Sequence, residues 1–309
     1  MAEENIQSTK NSYKSIIYDF IILLKPELTG LSVFTAIISG VLALNNLQEI
    51  NYSLFYWLGL GTLFVGGGAG VMNQFIERSF DLKMKRTEKR PIPDNRILPQ
   101  VALYYGIVIS VLGVLILKIY VNNYSAILAI ITWVIYVAIY TPLKRITFFA
   151  TIVGAIPGAL PPLIGWVGIS GKFSVEGWIL FAILFLWQMP HFYALAWMYR
   201  NDYAKAEFQM LSVVDPTGKS LSWEILFNTT FLLPISLLPL KYFNLSESYF
   251  YITIILNLMI LFYAIKFSAD IKKYNQQKDN DVNRSAKKLF FSTLIYLPVL
   301  FLLIFYFKR

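Results

Sequence analysis

The 309-residue sequence has no cysteine and a single histidine, His191. The missing cysteine excludes a disulfide scaffold, thiolate catalysis and cysteine-ligated metal centres. Charge is scarce as well. Only 15% of the residues are charged, where soluble domains carry about a quarter. With 57% hydrophobic and 17% aromatic residues, and a mean hydropathy of +0.56, the chain is neither disordered nor a cytosolic enzyme with one ordinary core. There is no repeat of fixed short period and no sustained alternation of period two, so sheets are not expected.

What is present is a series of uncharged apolar windows, and a bilayer-spanning helix needs about 20 such residues. The windows are Leu28–Leu44, Tyr52–Ile76, Ile97–Leu117, Tyr124–Leu143, Ile146–Gly171, Gly177–Tyr199, Ile225–Leu240, Ser248–Ile265 and Leu289–Phe307. The seventh is short and holds Pro234 and Pro239. They predict an all-α membrane protein of nine transmembrane helices. The net charge of +9 first suggests nucleic acid, but its distribution says otherwise. With the N-terminus cytoplasmic, 22 of the 27 Lys and Arg fall in cytoplasmic segments. That is the positive-inside bias, and it accounts for the basic balance with no nucleic acid. The first apolar segment follows Glu3, Glu4, Lys10, Lys14 and Lys25 with no small-residue cleavage site, so it is expected to be a retained span. The expected organisation is a cytoplasmic N-terminal segment over 1–24 and a single transmembrane domain over 25–309.

The second window runs through Gly66-Gly67-Gly68-Ala69-Gly70 to Asn73, Glu77 and Asp81. The glycines can let helices pack closely or let a large flat ligand approach the backbone. Asn73, Glu77 and Asp81 stand at i, i+4 and i+8. On a helix each step of four drifts about 40°, so all three face one way. Oxygen ligands stacked along one face suit Mg²⁺, which keeps several waters and is completed by substrate phosphates. Lys83, Lys85, Arg86, Lys89, Arg90 and Arg96 follow at once and offer positive charge to a diphosphate. Charged helix ends and basic cytoplasmic loops are ordinary. Carboxylates at membrane depth are not, and they mark a functional site.

Asn73-x-x-x-Glu77-x-x-x-Asp81, continuing through Lys83-Met84-Lys85-Arg86-Thr87 to Arg90-Pro91, resembles the first acidic motif of intramembrane aromatic prenyltransferases. Two further stretches narrow the resemblance to the protohaem IX farnesyltransferase (haem O synthase) family of the UbiA-type superfamily. One is Tyr140-Thr141-Pro142-Leu143-Lys144-Arg145 with Gly158-Ala159-Leu160-Pro161-Pro162-Leu163-Ile164-Gly165-Trp166. The other is Trp187-Gln188-Met189-Pro190-His191-Phe192, running on to Asp202-Tyr203 and Met210-Leu211. The resemblance covers roughly residues 25 to 215, and the last three spans match only in being apolar. The sequence departs from the family pattern at Glu77, where an aspartate is usual, and at Gln209 and Ser212, where prolines are frequent. A second acidic motif of spacing four fails, because Ala206 follows Asp202 and Glu207 lies about 140° round the helix.

The resemblance implies nine helices around a central cavity that opens to the cytoplasm and sideways to lipid, in the cytoplasmic membrane. It implies Mg²⁺-dependent transfer of a farnesyl group from farnesyl diphosphate to a vinyl group of haem B, which is substrate and not cofactor. Haem O and diphosphate are the products, and a haem A synthase or terminal oxidase assembly is the candidate recipient. Asn73, Glu77, Asp81 and Asp202 are then the expected Mg²⁺ ligands and catalytic residues. Lys83, Arg86, Arg90, Lys144 and Arg145 are expected at the diphosphate. His191, with Trp187 and Gln188, is expected in the haem pocket. Its imidazole can ligate iron, bond a propionate, or bond a neighbouring helix.

Two other readings stand beside this one. A quinone-precursor prenyltransferase acting on a substrate such as 4-hydroxybenzoate shares the first motif. A transporter is the rival of another class, in which Pro157, Pro161 and Pro162 break the fifth span.

Overall fold

Asparagine and proline set where the long helices begin. The Asn51 side chain accepts the Leu54 N–H at 3.2 Å, and Asn122 accepts the Ser125 N–H at 2.9 Å. Each satisfies a donor that the first helical turn leaves unpaired. Pro26 and Pro99 open two other helices, where a missing N–H costs nothing.

The computed structural model describes residues 16–273 and 279–308, with no strand among them. Residues 1–15 of the expected N-terminal segment, with Lys10 and Lys14, lie outside the described residues, as do Lys278 and Arg309. The main helices are α1 (Ile16–Leu23), α2 (Pro26–Leu42), α3 (Tyr52–Asp81), α4 (Pro99–Val121), α5 (Asn123–Leu143), α6 (Ala150–Ser170), α7 (Val175–Met198), the short α8 (Arg200–Lys205), α9 (Lys219–Tyr242), α10 (Ser248–Lys272) and α11 (Asp279–Phe307).

Eight of these helices are long and apolar enough to cross a membrane. The first expected span, Leu28–Leu44, falls in α2, which with α1 forms a pair bent by 52° that brings the spans to nine if counted as one. Pro26 disfavours helical backbone at the residue before it, and Lys25 takes a left-handed conformation with φ 51°. The residues expected as the end of a cytoplasmic tail are therefore a helix of their own.

The fifth expected span is not broken. Pro157, Pro161 and Pro162 all lie inside α6, which runs unbroken from Ala150 to Ser170 and stops at Gly171 with φ 69°. The broken helix of the transporter reading is absent. The seventh expected span likewise carries Pro234 inside α9.

The α6 and α7 helices are the most buried spans, while α4, α5 and α10 turn large apolar side chains such as Val108, Ile127 and Ile255 outward, as lipid-facing helices do. The α6 helix crosses α2 so closely that a Cβ on Gly165 would lie 1.8 Å from the Ala36 carbonyl oxygen. This crossing holds the second half of α2 against the later turns of α6. At the C-terminal end of α2, Lys308 Nζ donates to the carbonyls of Leu42 and Leu44 at 2.7 and 2.5 Å.

The glycines of α3 divide between the two readings. Gly68 faces α4, where a Cβ would lie 2.9 Å from the Gly106 carbonyl, whereas Gly66 and Gly70 line a cavity.

Candidate active site

The last turns of α3 carry Asn73, Glu77 and Asp81, all buried. Each meets one cation, and the three cations come from different parts of the chain. Lys25, at the α1–α2 bend, donates its Nζ to Asn73 Oδ1 at 2.6 Å. Lys144, just past α5, forms an ion pair with Glu77. Arg90, in the loop after α3, donates to both carboxylate oxygens of Asp81 at 2.9 and 2.8 Å. The orientation of the Asn73 amide is fixed from its other side. Its Nδ2 donates to Thr141 Oγ1 at 3.0 Å, and that hydroxyl donates to the Tyr136 carbonyl at 2.8 Å.

These groups line a cavity of about 570 Å³, polar at this end and reaching the α1 residues Tyr18, Ile21 and Ile22. A second, more apolar cavity of about 230 Å³ lies against it between α2, α3, α5, α6 and α7. Lys25, Leu28, Tyr136, Tyr140, Gly154 and Phe192 line both, so the two are chambers of one site. Tyr140 stands at the junction because Gly154 lets it. A Cβ there would lie 2.6 Å from the Tyr140 ring.

Trp187, Gln188 and His191 all line the apolar chamber. Trp187 Nε1 donates to the Thr293 carbonyl at 2.7 Å, and Gln188 Nε2 donates to the Ala155 carbonyl at 2.6 Å. The His191 ring stacks between Trp187 and Phe290, with centroids at 5.2 and 4.4 Å. Its Nδ1 lies 2.8 Å from Thr293 Oγ1. The neighbouring-helix bond is therefore made, by one nitrogen of the ring.

The remaining expected residues divide. Arg86 lines the polar chamber, and its guanidinium reaches the Tyr203 hydroxyl at 3.3 Å. Arg145 lies over the Phe80 ring at 4.4 Å and lines a side cavity that also touches Glu77. Lys83 is turned away and bonds Glu207 at 2.6 Å, tying the loop after α3 to the one after α8. This bond, with the Lys83 charge, holds the Glu207 carboxyl below its usual range. Asp202, on α8, is half-buried and is not among the residues lining either chamber. The second acidic cluster therefore does not assemble, since Glu207 ends its helix with φ 60° and faces solvent.

Lys25, Thr141, Tyr136 and Tyr140 were not singled out for a role by the sequence. Their signals are a lysine directly before the proline that opens a span, the place of Tyr140 and Thr141 in a stretch that carries the resemblance, and for Tyr136 only a hydroxyl near the end of a span.

Among the described residues no three His, Asp or Glu side chains converge on one point. The α3 donor set still fits a hard divalent cation. It is all oxygen and it lines one chamber, although each carboxylate is at present paired with a side-chain cation that a metal would have to displace.

Comparisons with known proteins bear on the family and the fold. The family model described as the UbiA prenyltransferase family matches residues 32–295, well past the stretch that carried the resemblance. A protein of Opitutus terrae named protoheme IX farnesyltransferase is 37% identical over 292 residues, covering 94% of this chain and 95% of its own. One of Solibacter usitatus with the same name is 36% identical over 290 residues, covering 92% and 96%. Among solved structures, digeranylgeranylglyceryl phosphate synthase superposes with a TM-score of 0.77 at 16% identity, covering 95% of this chain and 99% of that one. A UbiA homolog from Archaeoglobus fulgidus, bound to GPP and Mg²⁺, gives 0.62 at 13% identity, covering 93% and 99%. The fold, the matched span and the relatives converge: the chain belongs to the UbiA prenyltransferase family.

Proposed function

We propose that the chain is a membrane enzyme that transfers a farnesyl group from farnesyl diphosphate to a vinyl group of haem B. The relatives named protoheme IX farnesyltransferase, alike over more than nine-tenths of this chain, support the donor and the acceptor. The observation that carries the reading is the pair of joined chambers, one lined by paired carboxylates and cations, the other apolar and holding the single histidine.

In this reading Asn73, Glu77 and Asp81 hold Mg²⁺, which supplies a Lewis acid and template at the diphosphate oxygens. Arg86, Arg90, Lys144 and Lys25 surround the polar chamber and neutralise the leaving group as the C1–O bond breaks and its electrons pass to the diphosphate. The apolar chamber keeps water from the allylic cation while the vinyl carbon attacks C1. Water then adds to the new cation beside the porphyrin and loses a proton, which gives the hydroxyethylfarnesyl haem. Arg145 acts at the rim of the site beside Glu77, whereas Asp202 and Lys83 line neither chamber. Trp187 and Gln188 shape the pocket around His191.

We place the site on the cytoplasmic face of the cytoplasmic membrane by the Lys and Arg count, with residues 25–309 acting as one unit. The product then passes to a haem A synthase or terminal oxidase assembly.

The test is acceptor dependence. Detergent-purified protein with farnesyl diphosphate and Mg²⁺ should release diphosphate in step with added haem B. Release driven by 4-hydroxybenzoate and not by haem B would transfer the reading to quinone synthesis.

A further inference from the structure

Two buried carboxylates and one amide oxygen share the polar chamber with three cations, each bonded to one of them. The third cation, Lys25, lies outside the α3 motif, and its part in neutralising the leaving group does not explain why it is bonded to Asn73 beforehand. Its backbone is held in a left-handed conformation at the α1–α2 bend, and its Nζ reaches Asn73 Oδ1 at 2.6 Å. Thr141 occupies the Asn73 Nδ2 from the other side, so the oxygen has no choice but to face Lys25. Lys25 also lines both chambers, and so stands where the diphosphate end meets the apolar end.

This arrangement has an electrostatic consequence. The chamber holds more positive than negative charge before anything binds, counting Lys25, Arg86, Arg90 and Lys144 against Glu27, Glu77 and Asp81. A divalent cation entering alone must displace bonded cations into a cavity that already carries excess positive charge, which is costly in a low dielectric. A diphosphate removes that cost by accepting the displaced cations.

We propose that Lys25, with Lys144 and Arg90, is an internal counter-ion that competes with the metal for the α3 oxygens and turns to the diphosphate when the metal enters. Metal and diphosphate therefore bind as a linked pair, each raising the affinity of the other. The inference rests on the assignment of Asn73 as a metal ligand in the proposed function. It adds a role for Lys25 and a rule for loading.

The test uses Mn²⁺ alone as the metal probe, followed by electron paramagnetic resonance on the full chain in detergent. It also uses Mg²⁺-dependent binding of a radiolabelled, non-reacting farnesyl thiodiphosphate. Lys25→Met should tighten Mn²⁺ binding about tenfold, within the usual range of coupling between sites, and weaken binding of the analogue. Lys25→Arg should behave as wild type in both, and Lys25→Gln serves in place of Lys25→Met if that variant does not fold. A residue with a merely structural role would give unchanged or weaker Mn²⁺ binding, and that result overturns the proposal.

Asn73→Ala separates the two levels. If it weakens Mn²⁺ binding while Lys25→Met changes nothing, the competition is wrong and the metal assignment stands. If Asn73→Ala also changes nothing, both fall.

Discussion

His191 Nδ1 lies 2.8 Å from Thr293 Oγ1, joining α7 to α11 behind the apolar chamber. The Thr293 hydroxyl donates to the Phe290 carbonyl at 2.6 Å, so toward His191 it acts as an acceptor. That places the proton on Nδ1 and leaves Nε2 with its lone pair, the form in which imidazole binds iron or accepts a hydrogen bond. His191→Ala should therefore weaken haem B binding, read by absorbance titration, by about tenfold or more while leaving farnesyl diphosphate binding near wild type. Thr293→Val should move haem binding the same way by less. Equal losses for both substrates would remove His191 from the haem pocket.

Asp81 has both carboxylate oxygens on Arg90 and no exposed surface. Replacing it removes a metal oxygen and strands a half-buried guanidinium. Asp81→Asn should lower turnover by at least about a hundredfold and also lower the thermal midpoint, because breaking a buried pair leaves a charge uncompensated. Turnover within a few-fold of wild type would contradict the metal assignment.

Gly154 is the position that admits the Tyr140 ring between the chambers. Gly154→Ala forces the ring to move, an overpacking that costs about 1–3 kcal/mol. The expected result is a protein that still folds but loses most of its turnover, measured beside its melting temperature. Unchanged turnover would show that the Tyr140 position is unimportant.

The Lys83–Glu207 bond offers a pH test outside the membrane. The bonded carboxyl is held below its ordinary value of 4.5. A carboxyl depressed in the folded state contributes above its unfolded value and loses that contribution as pH falls through the depressed one. Protease sensitivity of the 200–218 segment should stay flat from neutral pH down to about 5 and rise only below about 4. Glu207→Gln should show the raised sensitivity at neutral pH, modestly and less so in high salt, since the pair is exposed. An equal acid response in the variant would rule the bond out as its cause.

The first half of the site was legible because Asn73, Glu77 and Asp81 lie on one helix, where spacing alone sets the face. Their partners were not. Lys25 and Thr141 lie 48 and 68 residues from Asn73 along the chain, and only the packing of α2 and α5 on α3 brings them together. The α1 helix was hidden for another reason. Its eight residues are too few to register as a span, and in the sequence they directly follow a stretch carrying Lys10 and Lys14. The α6 prolines suggested a break from local chemistry, whereas burial among neighbouring helices keeps the helix whole. Asp202 and Glu207 stayed ambiguous because the end of α8 depends on a left-handed residue that spacing does not reveal.

The central claim is tested most directly by the product itself. Purified protein would be incubated with haem B, farnesyl diphosphate and Mg²⁺, and the haems separated by chromatography with mass detection. The account predicts a new haem whose mass gains one farnesyl group and one hydroxyl, absent with EDTA and absent without the diphosphate. Folded protein that yields no such haem, while releasing diphosphate to another acceptor, would contradict it.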